Sequence, residues 1–156
     1  QYGGAANFAS TGGWTLSKGT AMSHYSKHQL VKLTSAQQAI VEKVSKNIYR
    51  PCCNNSTYFP DCNHGMAMLG LIELMAARNV SENDMYKTAL KVNSFWFPNN
   101  YVTIAKWFKE QGFEWDSLDA ATLLGSNYSS LSGYKGVAAN TEPISGGSAS
   151  GGGCGV

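Results

Sequence analysis

Apolar residues recur at helical spacing through the middle of the chain, between residues 35 and 124. A repeat near 3.6 residues is typical of amphipathic helices. In the first segment the inward positions are Ile40, Val41, Val44 and Ile48. This helix begins at Thr34 or Ser35, because Ser35 with Gln38 three residues later fits a capping box. Pro51 is expected to stop it.

The second helical segment, about residues 62–78, is apolar around nearly its whole circumference. Helices of this kind are buried on most sides, so the segment is predicted to be the central helix of the fold. Asp61 precedes it and is a suitable N-cap residue. Asn79 is expected to close it.

Three shorter amphipathic patterns follow. One covers about 82–96, capped by Ser81, and is expected to end at Pro98. The next covers about 101–111, capped by Asn100. A short helix after Asp116 and Asp119 runs to about residue 124. The pattern predicts an all-α fold, a compact bundle of about four to five helices.

The two ends of the chain lack this periodicity. Residues 1–34 are predicted to form an irregular arm packed on the helical core of residues 35–124, with a short strand around Trp14–Ser17. Residues 125–156 are rich in Gly and Ser and are predicted to form a tail, flexible over residues 145–156. At 156 residues the whole chain fits a single domain.

Charge changes this picture by excluding classes of partner. Only 14% of residues are charged and the net charge is +2, without the basic stripe that nucleic-acid binding requires. The longest near-apolar stretch, residues 66–77, is too short for a transmembrane helix.

A chain that starts at Gln1 suggests a processed form, so we expect an exported protein: periplasmic, cell-surface or secreted.

Candidate chemistry concentrates where the second helix begins. Three of the four cysteines lie within eleven residues and are followed by further soft ligands. Thiolate, imidazole and thioether groups are the ligands that soft metal ions prefer. With Asp61 as N-cap, Cys62 would be the first helical residue, where the helix dipole lowers the pKa of a thiol. The predicted metal ligands are Cys52, Cys53, Cys62, His64, Met66 and Cys154.

Cys154 is the outlying member of this set, because it is the third residue from the C-terminal end and follows a Gly-rich run. Gly tolerates nearly any backbone conformation, and the entropy cost of closing a long loop grows slowly. We therefore expect Cys154 to return to the other three cysteines as a fourth sulfur. His24 and His28, four residues apart, are a weaker metal pair, and two solvent-exposed histidines are the favoured interpretation.

Three uses of the cysteines stay open at this point. In an exported chain an even number of cysteines usually forms disulfides. A mononuclear soft-metal site is the second use, with copper favoured, and an iron–sulfur cluster on all four cysteines is the third. Sequence motifs of common hydrolases and phosphate-binding loops are absent, which argues against an enzyme.

The sequence therefore predicts a small exported protein that carries a thiol-rich metal or redox cofactor centre. Its role would be electron transfer, metal carriage or metal sensing, with a protein or redox partner. The alternative hypothesis is a disulfide-stapled structural or interaction module of a surface assembly, without a cofactor.

Overall fold

The computed structural model describes residues 18–24 and 27–142, and in this part of the chain it is helical without strands. The all-α prediction is confirmed. Two 3₁₀ turns, Ala21–Ser23 and Trp115–Ser117, accompany the helices. The helices are α1 (Ser35–Asn47), α2 (Asn63–Ala77), α3 (Glu82–Trp96), α4 (Pro98–Glu110), α5 (Ala120–Leu124), α6 (Ser126–Ser129) and α7 (Leu131–Ala139).

Local capping explains where the first helices begin. Thr34 Oγ1 accepts the Gln37 backbone N–H at 3.3 Å, and Gln37 Oε1 accepts the Thr34 backbone N–H at 2.9 Å. This reciprocal pair is a capping box, one residue earlier than the predicted pair of Ser35 and Gln38. The bounds predicted for α3 coincide with the observed ones, and its N-cap is Ser81, as expected.

Two helix boundaries differ from the predictions. Pro98 does not merely end α3; it is the first residue of α4, where its missing N–H costs nothing. Helical structure also continues past residue 124, through α6 and α7. Gly133 lies within α7 and not in a loop. A Cβ at this position would collide with the carbonyl oxygen of Ser126. The glycine permits α6 and α7 to pack closely.

The helices enclose two adjoining hydrophobic cores. The first lies between α1, α2 and α3, and its fully buried side chains include Val44, Ile48, Met68, Ile72 and Met85. The second is built mainly by α4 with residues of α5 and α7, and includes Tyr101, Ile104, Phe108, Leu123 and Val137. Leu90 and Trp96 of α3 pack against both cores.

The helix α2, predicted to be buried on most sides, has one exposed side. Met66 is 44% exposed and Leu74 is 51% exposed, and a Cβ at Gly70 would contact nothing within the described residues. The physical reason is that α2 packs chiefly on α1. One neighbouring helix cannot cover a cylinder that is apolar all round.

The described part of the arm makes limited contact with the core. Leu33 packs against the first core, whereas Met22 and Leu30 are exposed. The predicted strand around Trp14–Ser17 and the last residues of the tail, 143–156, lie outside the described residues. No helix in the described ranges has the length and apolar character needed to cross a membrane.

Candidate metal centre

The loop of residues 48–62 is folded back on the end of α1. Its Thr57 N–H donates to the carbonyl of Ile48 at 2.8 Å, and its Tyr58 N–H donates to the carbonyl of Ser45 at 3.1 Å. On the other side, the carbonyl of Cys53 accepts the N–H of Leu131, the first residue of α7, at 2.8 Å. These bonds hold the two adjacent cysteines in place at the N-terminus of α2.

Cys62 is itself the N-cap of α2, a role the sequence assigned to Asp61. The Cys62 sulfur accepts the backbone N–H of Gly65 at 3.4 Å. The Asp61 carboxylate is engaged elsewhere: its Oδ2 accepts from Asn55 Nδ2 at 2.6 Å, and its Oδ1 lies 3.6 Å from Arg50 Nη2. Because of the cap, the Cys62 sulfur faces the unpaired N–H groups of the helix end, which favours a thiolate.

Three side chains bring candidate metal-ligating atoms together at this helix end. The sulfurs of Cys52 and Cys62 and a ring nitrogen of His64 all lie within 4.8 Å of one another. In a tetrahedral site with metal–sulfur bonds of about 2.3 Å, neighbouring ligand atoms are about 3.8 Å apart. Small side-chain rotations would therefore suffice to place all three atoms on one ion.

The His64 ring is packed against the junction of α3 and α4. Its centroid lies 5.2 Å from that of Trp96 in an edge-on arrangement and 4.8 Å from that of Phe97. Aromatic contacts of this kind restrict the orientation of the imidazole. The histidine is thus held beside the sulfurs by the two helices that follow, not by α2 alone.

A fully buried arginine lies beneath the sulfurs. Arg50 Nη1 donates to Thr57 Oγ1 at 3.1 Å, and Nη2 donates to the Cys53 sulfur at 3.4 Å. Cys53 is not part of the group of three ligand atoms. Buried charges are normally paired, and here the counter-charges are Asp61 and the cysteine sulfurs.

The electrostatics of the cluster favour an anionic sulfur at Cys62. Hydrogen bonds from Cys52 and Cys53 lower the pKa of Cys62 far below its ordinary range, assisted by the Gly65 N–H and the Arg50 charge, although burial opposes the shift. Burial also opposes the charge on Arg50, but the three cysteines outweigh it and raise the pKa of Arg50. The arginine and the Cys62 thiolate therefore stabilise each other.

The close approach of Arg50 to α2 depends on a glycine. A Cβ at Gly65 would lie 3.0 Å from the Cα of Pro60 and 3.1 Å from Arg50 Nη2, which is tighter than ordinary packing allows. Gly65 is thus the position in α2 that lets the guanidinium lie directly under the helix start.

The other predicted ligands besides Cys53 are Met66 and Cys154. Met66 lies one turn into α2 with its side chain partly exposed, and its role as a ligand stays a prediction. Cys154 lies outside the described residues. No two of the described cysteines, Cys52, Cys53 and Cys62, are joined by a disulfide.

The pair of His24 and His28 is exposed, as the sequence analysis favoured. His24 Nδ1 and His28 Nε2 are 2.8 Å apart and hydrogen-bonded to each other, and His24 Nε2 contacts the Lys18 carbonyl oxygen at 2.8 Å. A hydrogen bond between the two rings uses the lone pair that a shared ion would need.

Sequence reasoning missed Arg50 and Gly65 as parts of the site. The available signals were weak: Arg50 is one of only two arginines and lies just before Pro51 and the two adjacent cysteines, and Gly65 interrupts the first turn of a helix. Comparisons of the chain with protein-family models, with curated proteins and with solved structures found no match. The site must therefore be interpreted from its own chemistry.

Proposed function

We propose that Cys52, Cys62 and His64 hold a single thiophilic metal ion and that the protein carries this ion to or from a partner. The observation that supports the proposal is the convergence of two sulfurs and one imidazole nitrogen within 4.8 Å. Thiolate and imidazole ligands suit copper and zinc. Copper(I) is favoured, since the next turn of α2 adds the thioether of Met66.

The charge of the surroundings suits a thiolate-bound ion. Metal binding requires deprotonated sulfur, so a site that already stabilises a thiolate loses less energy to proton release. The N–H of Gly65 and the charge of Arg50 provide that stabilisation at Cys62. A bound ion would add positive charge to that of Arg50 at the ligand sulfurs.

Access to the sulfurs favours metal carriage over electron transfer. Cys52, Cys53 and Cys62 are all half-buried, so each residue keeps some exposure to solvent. Transfer of an ion between proteins proceeds by ligand exchange, which needs ligands that an incoming thiol or imidazole can reach. Electron transfer has no such need for open access.

The first experiment is metal analysis of the native protein, purified in an exported, mature form with a non-thiol reductant. We expect a single copper or zinc ion per chain by elemental analysis. Visible absorption with iron and sulfide present would indicate an iron–sulfur cluster instead. Absence of metal together with loss of free thiols would support the alternative, a disulfide-stapled module.

Substitution then tests the ligands by titration with Co²⁺, whose absorption reports thiolate ligation. Cys62→Ser and His64→Ala should each weaken binding by more than about a hundredfold, because each removes a ligand from a small set. His28→Ala is the matched control, since His28 is exposed and distant from the cluster in sequence. Equal affinities for the wild type and the His64 variant would remove His64 from the site.

Cys154 is tested by the same titration. Cys154 lies twelve positions after Glu142, and an extended segment of that length spans up to about 40 Å, so the segment gives Cys154 a long reach over the surface. We expect Cys154→Ser to weaken Co²⁺ binding and to change the absorption spectrum. An unchanged spectrum would show that a different group completes the coordination.

A further inference from the structure

An open cleft lies between α4, α6 and α7. Its volume is about 860 Å³, within the range of about 300–1,000 Å³ that is typical of small-molecule sites. Trp107 and Gln111 line it from α4, Asn127 and Tyr128 line it from α6, and one face of α7 lines it from the other side. None of its lining residues belongs to the candidate metal centre, so the cleft is a separate feature of the surface.

The face of α7 that lines the cleft carries small side chains. Gly133, Gly136, Val137 and Asn140 follow one another at the spacing of one helix face. At Gly133 the missing side chain lets α6 approach closely, whereas a Cβ at Gly136 would meet no other group of the described chain within 4 Å. The backbone at Gly136 is therefore exposed, and a larger side chain there has open space to enter.

Two aromatic rings form much of the apolar part of the lining, and packing holds both of them. The ring centroids of Trp107 and Tyr128 are 5.9 Å apart and their planes are inclined by 47°. Each ring also contacts the buried Phe108, whose centroid lies 4.9 Å from both. Rings that are fixed before binding lose little freedom when a ligand stacks on them.

The polar part of the lining is neutral. In the described part of the chain no acidic or basic side chain lines the cleft. The side chains of Gln111 and Asn127 are exposed, so their amides are accessible to a ligand, and an amide can both donate and accept hydrogen bonds. The lining therefore suits an uncharged ligand with many polar groups and an apolar face.

We propose that this cleft binds a neutral saccharide. The C–H faces of a sugar ring stack on aromatic rings such as Trp107 and Tyr128, and its hydroxyl groups donate and accept hydrogen bonds as the amides do. Proline-rich peptides also dock on aromatic grooves, but a proline has no N–H donor and would use only half of each amide. The inference does not depend on the proposed metal function.

The test is an NMR titration of the full-length protein with three uncharged probes: cellohexaose, maltohexaose and chitohexaose. We expect at least one of them to bind with a Kd below about 1 mM and to shift the indole N–H signal of Trp107, which is assigned by its loss in Trp107→Phe. Failure of all three to bind in this range would overturn the inference. Decaproline is the competing probe, and tighter binding of decaproline at Trp107 would overturn the assignment to a saccharide.

Gly136→Leu tests whether the ligand occupies the cleft. Leucine is a better helix former than glycine, so the variant should fold, which circular dichroism verifies, and its side chain should crowd the ligand and weaken binding at least about tenfold. Ala139→Leu is the matched control, because it adds the same side chain at an exposed position of α7 outside the lining. Equal affinities of the two variants would overturn the inference and leave the proposed metal function intact.

Discussion

In the described part of the chain, one buried polar cluster surrounds Tyr101 and another surrounds Arg50, and the two differ in the charge of their groups. The first is a chain of neutral groups. Asn93 Nδ2 donates to the Tyr101 hydroxyl at 3.2 Å, and Tyr101 is hydrogen-bonded to Ser129 Oγ at 2.6 Å. Ser129 in turn donates to the carbonyl of Leu123 at 2.7 Å. This network joins α3, α4, α5 and α6.

The second cluster is ionic and joins the cysteine loop to α2. Its central group is the fully buried guanidinium of Arg50, whose partners are Thr57, Asp61 and the Cys53 sulfur. Sulfur is a weak acceptor, so these contacts are poorer than those of the neutral network. Among the described residues, Arg50 Nε and Asp61 Oδ1 are buried without a hydrogen-bond partner.

The contrast separates a cluster suited to stability from one suited to binding. Well-satisfied neutral networks specify a unique packing at small cost, whereas buried charge is expensive unless its partners are ideal. The Asn93 Oδ1 atom is the one described exception in the neutral network. An ionic cluster with reactive sulfurs and incomplete pairing is expected where function opposes stability.

The largest effect should come from removing the cation of the ionic cluster. Arg50→Met leaves the Cys62 thiolate and Asp61 without their buried counter-charge and Thr57 without its donor. We expect the free energy of unfolding to fall by about 3–5 kcal/mol, measured by urea denaturation under reducing conditions.

Arg78→Met is the matched control, because Arg78 is the other arginine and is exposed just after α2. Surface substitutions usually change stability by less than about 0.5 kcal/mol. If both variants lost the same stability, Arg50 would have no special role and the contrast between the clusters would fail.

The neutral network makes a prediction about alkaline pH. Burial raises the pKa of Tyr101 to about 12, although hydrogen bonds from Ser129 and Asn93 oppose the shift. In the unfolded chain a tyrosine has a pKa of about 10. As pH rises from about 10 to about 12, the unfolded state releases this proton while the folded state keeps it, so unfolding becomes more favourable.

Tyr101→Phe isolates that contribution. At pH 8 the variant should be less stable than the wild type by about 1 kcal/mol, the value of a typical buried hydrogen bond. Between pH 10 and pH 12 the wild type should lose about 2–3 kcal/mol relative to the variant, and the order of stabilities should reverse. A difference that stays constant across this range would show that the phenol is not held neutral by burial.

Helix periodicity made the first four helices predictable. Apolar spacing, Ser81 and the prolines placed α1 to α4 within a few residues of their observed bounds. The helices α6 and α7 were not predicted, because the Gly- and Ser-rich sequence after residue 124 was interpreted as a tail. At Gly133 the glycine serves close helix packing, which depends on the tertiary structure.

The candidate site was predictable only in part, for a similar reason. A loop between two prolines that leads into a helix start places Cys52 and Cys62 near each other by local geometry alone. The burial of Arg50 follows from the folding of that loop onto α1 and from the space at Gly65. Neither is a local property, and an isolated arginine in a sequence is expected at the surface.

The smallest expected change in stability concerns the contact between Arg50 and α2, which only the ionic cluster makes. Gly65→Ala and Gly70→Ala both replace glycine within the same helix, and alanine alone favours the helix by up to about 1 kcal/mol. At Gly70 the added methyl group contacts nothing, so that variant should gain about 0.5–1 kcal/mol of stability.

At Gly65 the same methyl group would lie 3.0 Å from Pro60 Cα and 3.1 Å from Arg50 Nη2. Crowding of this kind costs about 1–3 kcal/mol, which offsets or exceeds the helix gain, so Gly65→Ala should lie about 1–3 kcal/mol below Gly70→Ala in urea denaturation. Equal stabilities of the two variants would mean that Arg50 does not need to lie under the start of α2, and the ionic cluster would lose the feature that distinguishes it from the neutral one.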